Sequence, residues 1–499
     1  MEIILNGGSL VWLRRDLRLE DNNAISKAIS LNTKFILCFV FDKKILNPLL
    51  SEPFAVRDTN NFIIDNRISF IYYSLKELDK KLKKIGSGLI VKYGFSTKVI
   101  PELARKLQVE NVIFSNDYEP LSISRDTKIR EVLKQENFKL YSVKDQCVFE
   151  KTEILSKTST PYTVFTPYKK VWFEKFFSSY PFETYQKKQL LKHICTLPVS
   201  NFFPFPKLEI MGFSSTNSLP PNLMVGSSGA RYSINQFLSK VDSYKSKRDF
   251  PALGGTSCLS VHLRFGTISV REIIQKILGN SKNFIALSEG QETWLSELVW
   301  REFYMQILFN FPHVVSGSFK KHFDSIQWTS SKLLFDSWCS GQTGYPIIDA
   351  GMRELNETGF MHNRLRMLTA SFLTKDFGIN WQEGEKYFAL KLIDFDLSAN
   401  NGGWQWAAST GCDAQPYFRI FNPITQSKKF DPEGKYIKKY VPELTNLSKK
   451  FIHTPWLAPD DILDDAGIKM DFNYPTPKIE HSSARLSTLK RYEAAKFKI

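Results

Sequence analysis

The chain has 499 residues, too many for one hydrophobic core, so two or more domains are expected. Hydrophobic residues at 42% and charged residues at 24% are those of a soluble globular protein, and no apolar run is long enough to span a membrane. The formal net charge of +16 points to a polyanionic partner such as nucleic acid, the alternative being a generically basic protein.

From the N-terminus, Ser9–Leu13 and Lys34–Phe41 are short apolar runs of buried-strand type. Gly88–Tyr93, Asn111–Phe114 and Lys139–Val143 read the same way. Between them lie segments of helical spacing, such as Leu75, Leu78, Leu82 and Ile85. Strands alternating with helices predict a parallel α/β sheet over residues 1–148. Residues 149–230 are rich in Ser, Thr, Pro and Lys, with little sustained periodicity, and read as an interdomain connection on a surface. Residues 231–499 are dominated by helical patterns, as in Trp294–Tyr304 and Met352–Thr374, and are expected to form a larger all-α domain. The six Cys stand singly, with no CxxC pair and no Cys/His spacing, which argues against zinc and for a reducing compartment. The start, Met1 to Asn6, has no basic stretch followed by a long apolar one, so a cytoplasmic protein is expected.

Five constellations carry chemistry. In Gly254-Gly-Thr-Ser-Cys-Leu-Ser260, two glycines precede hydroxyls at an expected helix start, where free N–H groups can hold a phosphate. Taken alone, an ordinary Ser/Thr N-cap explains it better. Glu297, Trp300 and Arg301, spaced i, i+3, i+4, share a helix face suited to a base-like ligand; the alternative is a surface ion pair beside a core Trp. Asn363, Arg366 and Met367 share a polar face while Leu365, Leu368 and Phe372 form an apolar stripe, the pattern of a cavity lining or of a surface face with one stray Met.

Leu392 to Trp406 packs Asp394, Asp396, Asn400, Trp404 and Trp406 densely, which favours a site, although the Asp residues also suit helix caps. Within it Asn-Asn-Gly-Gly reads as a turn, after which Trp404 and Trp406 open a new helical run. Lastly Tyr417-Phe-Arg-Ile-Phe-Asn422 with Lys428, Lys429, Lys435, Lys438 and Lys439 interleaves aromatic and basic residues, as nucleic-acid contacts do and as a solvated charge run also does.

Together these segments resemble the photolyase/cryptochrome family over almost the whole chain. The match runs from Val11-Trp-Leu-Arg-Arg-Asp-Leu-Arg-Leu19 through Thr343-Gly-Tyr-Pro-Ile-Ile-Asp349 to Tyr417-Phe-Arg-Ile-Phe-Asn-Pro423. The resemblance implies an α/β N-terminal domain with a Rossmann-like parallel sheet that binds an antenna. It also implies a larger all-α FAD-binding catalytic domain. The subfamily most resembled is the class I cyclobutane pyrimidine dimer photolyases. Members acting on (6-4) products carry two histidines where this chain has Asn363 and Met367, and plant cryptochromes carry Asp where it has Asn400. The chain also ends at Ile499 without the long polar tail of many signalling cryptochromes.

By the same resemblance the activity is light-dependent DNA repair, deoxyribodipyrimidine photo-lyase, by electron transfer from excited reduced FAD to a flipped-out lesion. Tyr244, Thr256, Ser257, Cys258, Leu259 and Ser260 correspond to FAD phosphate and ribose contacts, and Arg366, Asp394, Asp396 and Asn400 to the surroundings of the flavin ring. Glu297, Asn363 and Met367 would contact the dimer and, with Asn400, are the catalytic set; Trp300 and Trp406 would wall its pocket. Arg248, Arg364 and Arg419 would meet the DNA backbone, and Trp328, Trp381 and Trp404 would carry electrons to the flavin. Asn116 and Glu119 correspond to antenna contacts, with methenyltetrahydrofolate expected and a deazaflavin, or no antenna at all, the alternatives, because a Lys that often supports folate is unmatched. The implied partner is UV-damaged DNA, with no membrane and no obligate protein partner, and the chain is expected to be a monomer. Rival readings are a blue-light receptor of cryptochrome type, a (6-4) photolyase, and a flavoprotein that only binds DNA.

Overall fold

The structure, a computed structural model, describes residues 4–496 except 53–54, 181, 183, 199–202, 217–218 and 280–286. Met1–Ile3 and the last three residues, on which the expectations about the chain ends bear, lie outside the described residues. Residue contacts divide the chain into two compact units. The first is Met1–Ile154, Lys170–Ser239 and Ser257–Leu287; the second is Leu155–Lys169, Lys240–Thr256 and Ser288–Ile499.

The first unit is built on five parallel strands: β1 (Ser9–Leu13), β2 (Phe35–Asp42), β3 (Leu89–Gly94), β4 (Asn111–Ser115) and β5 (Lys139–Val143), in the order β3-β2-β1-β4-β5. β1, β2 and β4 are buried along their whole length, because their apolar runs are covered on both faces. The chain moves outward from β1 to β3, then crosses back to β4, so the strand order reverses between β1 and β4. That reversal opens a crevice at the strand carboxyl ends. Trp12 of β1 pairs with Phe114 of β4, and their rings meet edge to face at 5.5 Å. The Arg14 guanidinium, just beyond, lies over both rings at 4.9 and 4.5 Å. The residues that follow each strand, Arg14 to Asp16 and Asn116 to Glu119, therefore share one end of the sheet.

The stretch 149–230, read as a connection, contains the helices Phe165–Ser179 and Lys187–His193. The first holds together by aromatic self-packing: Trp172 stacks on Phe176 at 5.1 Å and meets Phe149 edge to face at 5.6 Å. Aromatic side chains this close in sequence blur the 3.6-residue apolar spacing that would have announced it.

The second unit is helical. Its main elements are Glu289–Asn310, Pro346–Thr358, Asn363–Ser371, Trp381–Lys391, Leu397–Ala407 and His481–Lys496. Four of them, Pro346–Thr358, Asn363–Ser371, Trp381–Lys391 and Leu397–Ala407, surround one core that includes Trp338, Met352, Leu365, Leu368, Phe372 and Trp404. The long pattern expected from Met352 to Thr374 is two helices. Gly359 breaks it with a left-handed φ of 70°, and a Cβ there would strike the Ile393 side chain. A π-helical turn, Phe372–Asp376, then ends the second.

The turn expected at Asn400-Asn-Gly-Gly403 is absent: Leu397–Ala407 is one continuous helix. Gly402 is there because a Cβ would fall inside the ring of Tyr304 on the Glu289–Asn310 helix. The glycine permits a close helix–helix approach that local sequence cannot reveal. Asn401 and Gln405, one turn apart, donate side-chain hydrogen bonds to the Val314 carbonyl at 2.9 and 3.1 Å and tie the helix down.

Among the described residues no helix is long and apolar enough to cross a membrane, and no group of three or more His, Cys, Asp or Glu is placed to hold a metal.

Candidate active site

The Leu397–Ala407 helix organises the densest part of the second unit. Asp396 caps it, accepting from the Ser398 and Ala399 amides at 3.0 and 3.3 Å. Asp394, two residues earlier, is nearly fully buried and accepts from Arg366 Nη2 with both oxygens, at 2.9 and 3.1 Å. Arg366 Nε donates to the Met361 carbonyl at 2.8 Å, which fixes the guanidinium plane. The Asn400 amide donates to the Glu385 carbonyl at 3.1 Å. Glu385 itself accepts from Asn401 at 3.0 Å, and burial pushes its carboxyl up to about 7.

Asn363 opens the helix Asn363–Ser371 and is exposed, and its amide reaches Met367 Sδ at 3.7 Å one turn on. His362 caps that helix, its Nδ1 accepting from the Arg364 amide at 3.2 Å, while burial pushes its imidazole down to about 4 and keeps it neutral. Glu297, half-buried on the Glu289–Asn310 helix, accepts from Arg248. Desolvation raises the Glu297 carboxyl above its ordinary range, and Arg248 opposes the rise. Arg364 pairs with Asp249 at 2.7 Å. Trp300 is stacked face to face on Phe165 at 3.5 Å and leans on Tyr304 at 5.5 Å. Tyr304, Gly402 and Trp406 line one small cleft. Arg419 is exposed, and its side chain makes no ion pair among the described residues.

Trp404 and Trp381 are both 2% exposed in one core, and Trp328 packs against it half-buried. The ring neighbours of Trp404 are Phe388 at 5.0 Å and Trp338 at 6.0 Å. Trp328 meets Tyr492 edge to face at 6.2 Å. The three expected carriers thus share a core, while the ring contacts of Trp404 are made with other aromatics.

Tyr244 and Thr256 belong to the second unit. Tyr244 is buried, and the Arg248 guanidinium lies 5.8 Å over its ring. A Cβ on Gly255 would press on the Lys247 backbone, so this turn hugs the short Tyr244–Lys247 helix. Ser257, Cys258, Leu259 and Ser260 belong to the first unit. There the expected N-cap does not form: Leu259 takes the cap position of the Ser260–Phe265 helix, with no side-chain hydrogen bond. Cys258 reaches its place through a left-handed φ of 53°.

In the first unit, Asn116 donates to both oxygens of Glu150 at 3.0 Å. Glu119 accepts from Arg15 and, at 3.1 Å, from Arg264. Asp249, Phe165, Trp338, Glu385, Arg15 and Arg264 are among the members of these clusters that the sequence did not single out. Asp249 stands next to Arg248, the one local signal available. The others are joined to their partners only across long stretches of chain.

A doubly wound α/β unit and a helical unit that gathers buried ion pairs, amides and indoles define the architecture of a cofactor-holding, two-unit enzyme. Residues 9–187 match the family described as DNA photolyase, and residues 294–494 match the FAD binding domain of DNA photolyase. A deoxyribodipyrimidine photo-lyase of Vibrio cholerae is 35% identical, over 98% of this chain and 99% of its own. A class III photolyase from Agrobacterium tumefaciens has 32% identity and a TM-score of 0.85, covering 98% of each chain. A Synechocystis cryptochrome has 26% identity and the same TM-score, over 98% of this chain and 100% of its own. The chain belongs to the DNA photolyase family, and its helical unit carries that family's FAD-binding domain.

Proposed function

We propose that the chain is a light-dependent repair enzyme of the class I type that splits cyclobutane pyrimidine dimers, working as a cytoplasmic monomer on UV-damaged DNA. The observation that supports the lesion choice best is the Asn363–Met367 contact on one exposed helix turn. An amide and a thioether there offer hydrogen bonds and soft packing to paired bases, and no imidazole to pass a proton. Asn400 supports an enzyme rather than a receptor, since a neutral amide tolerates negative charge on a neighbouring ring better than a carboxylate does.

Bound FAD supplies light absorption and the single electron that opens the cyclobutane ring and is then recovered. The chain's own residues do the rest. Arg366, fixed by Asp394 and the Met361 carbonyl, together with Asn400 would hold polar edges of the flavin, and Asp396 caps the helix that carries Asn400. Tyr244, Thr256, Ser257, Cys258, Leu259 and Ser260 hold its phosphate and ribose side. A dimer inside a duplex cannot reach a buried cofactor, so the lesion is flipped out, at reduced cost because a linked base pair stacks poorly. Glu297 and Asn363 then satisfy its edges, Met367 packs on it, and Trp300 and Trp406 wall the pocket, with Phe165 stacked on Trp300 to hold it. Arg248, Arg364 and Arg419 hold the backbone. Trp404, Trp381 and Trp328 deliver electrons from solvent.

For the antenna we propose methenyltetrahydrofolate, with a deazaflavin as the alternative. In the folate reading Glu119 accepts from the ligand beside Arg15 and Arg264, and Asn116 shares its amide with Glu150. The absorption spectrum of the purified holoprotein separates the two chromophores. The function is tested by offering two oligonucleotides, one with a cyclobutane dimer and one with a (6-4) product. Blue light should clear only the first; comparable loss of the second would reassign the subfamily.

A further inference from the structure

We propose that Asp249 is an internal competitor for DNA phosphate: it holds Arg364 in an ion pair that the backbone must displace, and so limits retention on undamaged DNA. The inference rests on the reading above, in which Arg248 and Arg364 meet the backbone.

Two consecutive residues, Arg248 and Asp249, form two crossed ion pairs. Arg248 takes Glu297, and Asp249 takes Arg364 at 2.7 Å. The four charges sum to zero, so the two acids offset much of the attraction that the two arginines would exert on an approaching duplex. The Asp249–Arg364 pair is held in place by one ring. The Arg364 guanidinium lies 4.3 Å over Phe430, and Phe250, next to Asp249, meets the same ring edge to face at 6.1 Å. The pair is nevertheless open to exchange, because 37% of the Asp249 side chain is exposed. Arg364 Nε is buried and has no hydrogen-bond partner among the described residues, so Asp249 leaves part of the guanidinium unsatisfied. His362, which feels the Asp249 charge, is held neutral by burial, so the second cation near Asp249 is Arg248, itself paired with Glu297.

When phosphate takes Arg364, Asp249 is released as a free carboxylate beside a polyanion. It repels the phosphates and recruits a cation from solution, which cancels one of those that DNA releases. The exchange therefore lowers both the affinity and its salt dependence. A flipped lesion gives Glu297 a new partner when Arg248 leaves it, but nothing in DNA replaces Arg364 for Asp249.

The test uses the FAD-loaded full chain and an undamaged duplex, titrated over a range of salt. Asp249→Asn keeps the shape and removes the charge. It should tighten binding roughly 3- to 10-fold, the scale of one partly exposed pair plus the relieved repulsion, and steepen the salt slope by about one unit. Asp249→Glu should restore wild-type binding. The gain should shrink when Arg364→Ala is present as well, because only the relieved repulsion is then left to gain. Unchanged or weaker binding by D249N, or an equal gain in the R364A background, would overturn the proposal. Should R364A and R248A alone bind undamaged DNA as wild type does, the backbone reading of both arginines falls and takes this inference with it.

Discussion

Gly384 and Trp404 are matched partners: the indole of Trp404 lies directly on the bare backbone of Gly384 in the Trp381–Lys391 helix, where a Cβ would fall inside the ring. Gly384→Ala should therefore overpack the core and cost about 1–3 kcal/mol. The urea midpoint reads this out. An unchanged midpoint would mean that the two helices are not pressed together as described.

The same residue separates photoreduction from repair. The Trp404 indole N–H is buried and has no hydrogen-bond partner among the described residues, so Trp404→Phe leaves no polar group stranded. Folding and FAD retention should survive, at a cost of about 1–2 kcal/mol for the lost volume. Phe is far harder to oxidise than indole, so light-driven reduction of oxidised flavin by an external thiol should stop. Repair by chemically reduced enzyme should continue. Flavin absorbance under blue light, paired with a repair assay, checks both; normal photoreduction would remove Trp404 as the proximal donor.

Asp394→Asn keeps the shape of the buried carboxyl and takes away the charge that holds Arg366. The Arg366 guanidinium then loses its charged partner beside the proposed flavin site. The variant should purify with clearly less FAD per chain, read as the flavin-to-protein absorbance ratio. Full occupancy would show that the ion pair supports the fold and not the cofactor.

Glu385 gives stability a pH dependence. Its carboxyl sits near 7 in the folded chain against an ordinary 4.5, because it is buried. Between these values the folded state binds more protons than the unfolded one. Its contribution is thus complete below about 4.5 and is lost as pH rises through about 7. The loss is at most about 3 kcal/mol. Glu385→Gln, whose amide oxygen can still accept from Asn401, should flatten Tm against pH over that window. An unaltered profile would place the titration elsewhere. Lys375, pushed down to about 7 by burial, acts in a separate window above neutrality, where its stabilising effect grows with pH.

Much of this molecule is legible in its sequence, and the reasons differ by element. β1, β2 and β4 are buried on both faces, so uninterrupted runs such as Ser9–Leu13 announce them. The Asn363–Met367 face and the Leu365–Leu368 stripe follow from helical spacing alone. Gly402 could not be read, because the ring of Tyr304 that requires it lies almost a hundred residues away, and local sequence makes Asn-Asn-Gly-Gly a turn. Ion-pair partners were equally hidden: Glu297 is held by Arg248 and Glu119 by Arg264, across 49 and 145 residues. Spacing reports which side chains share a face, and only the tertiary fold decides which face meets which.

The central claim is tested most directly with one defined thymine dimer in a short oligonucleotide, mixed with the reduced, FAD-loaded protein. Samples are kept in blue light or in darkness, and intact thymines are counted by chromatography. The account predicts restoration of both thymines in the light, none in the dark, and a marked loss of yield with Glu297→Ala. A reduced holoprotein that binds the damaged strand yet leaves the dimer intact under illumination would contradict it.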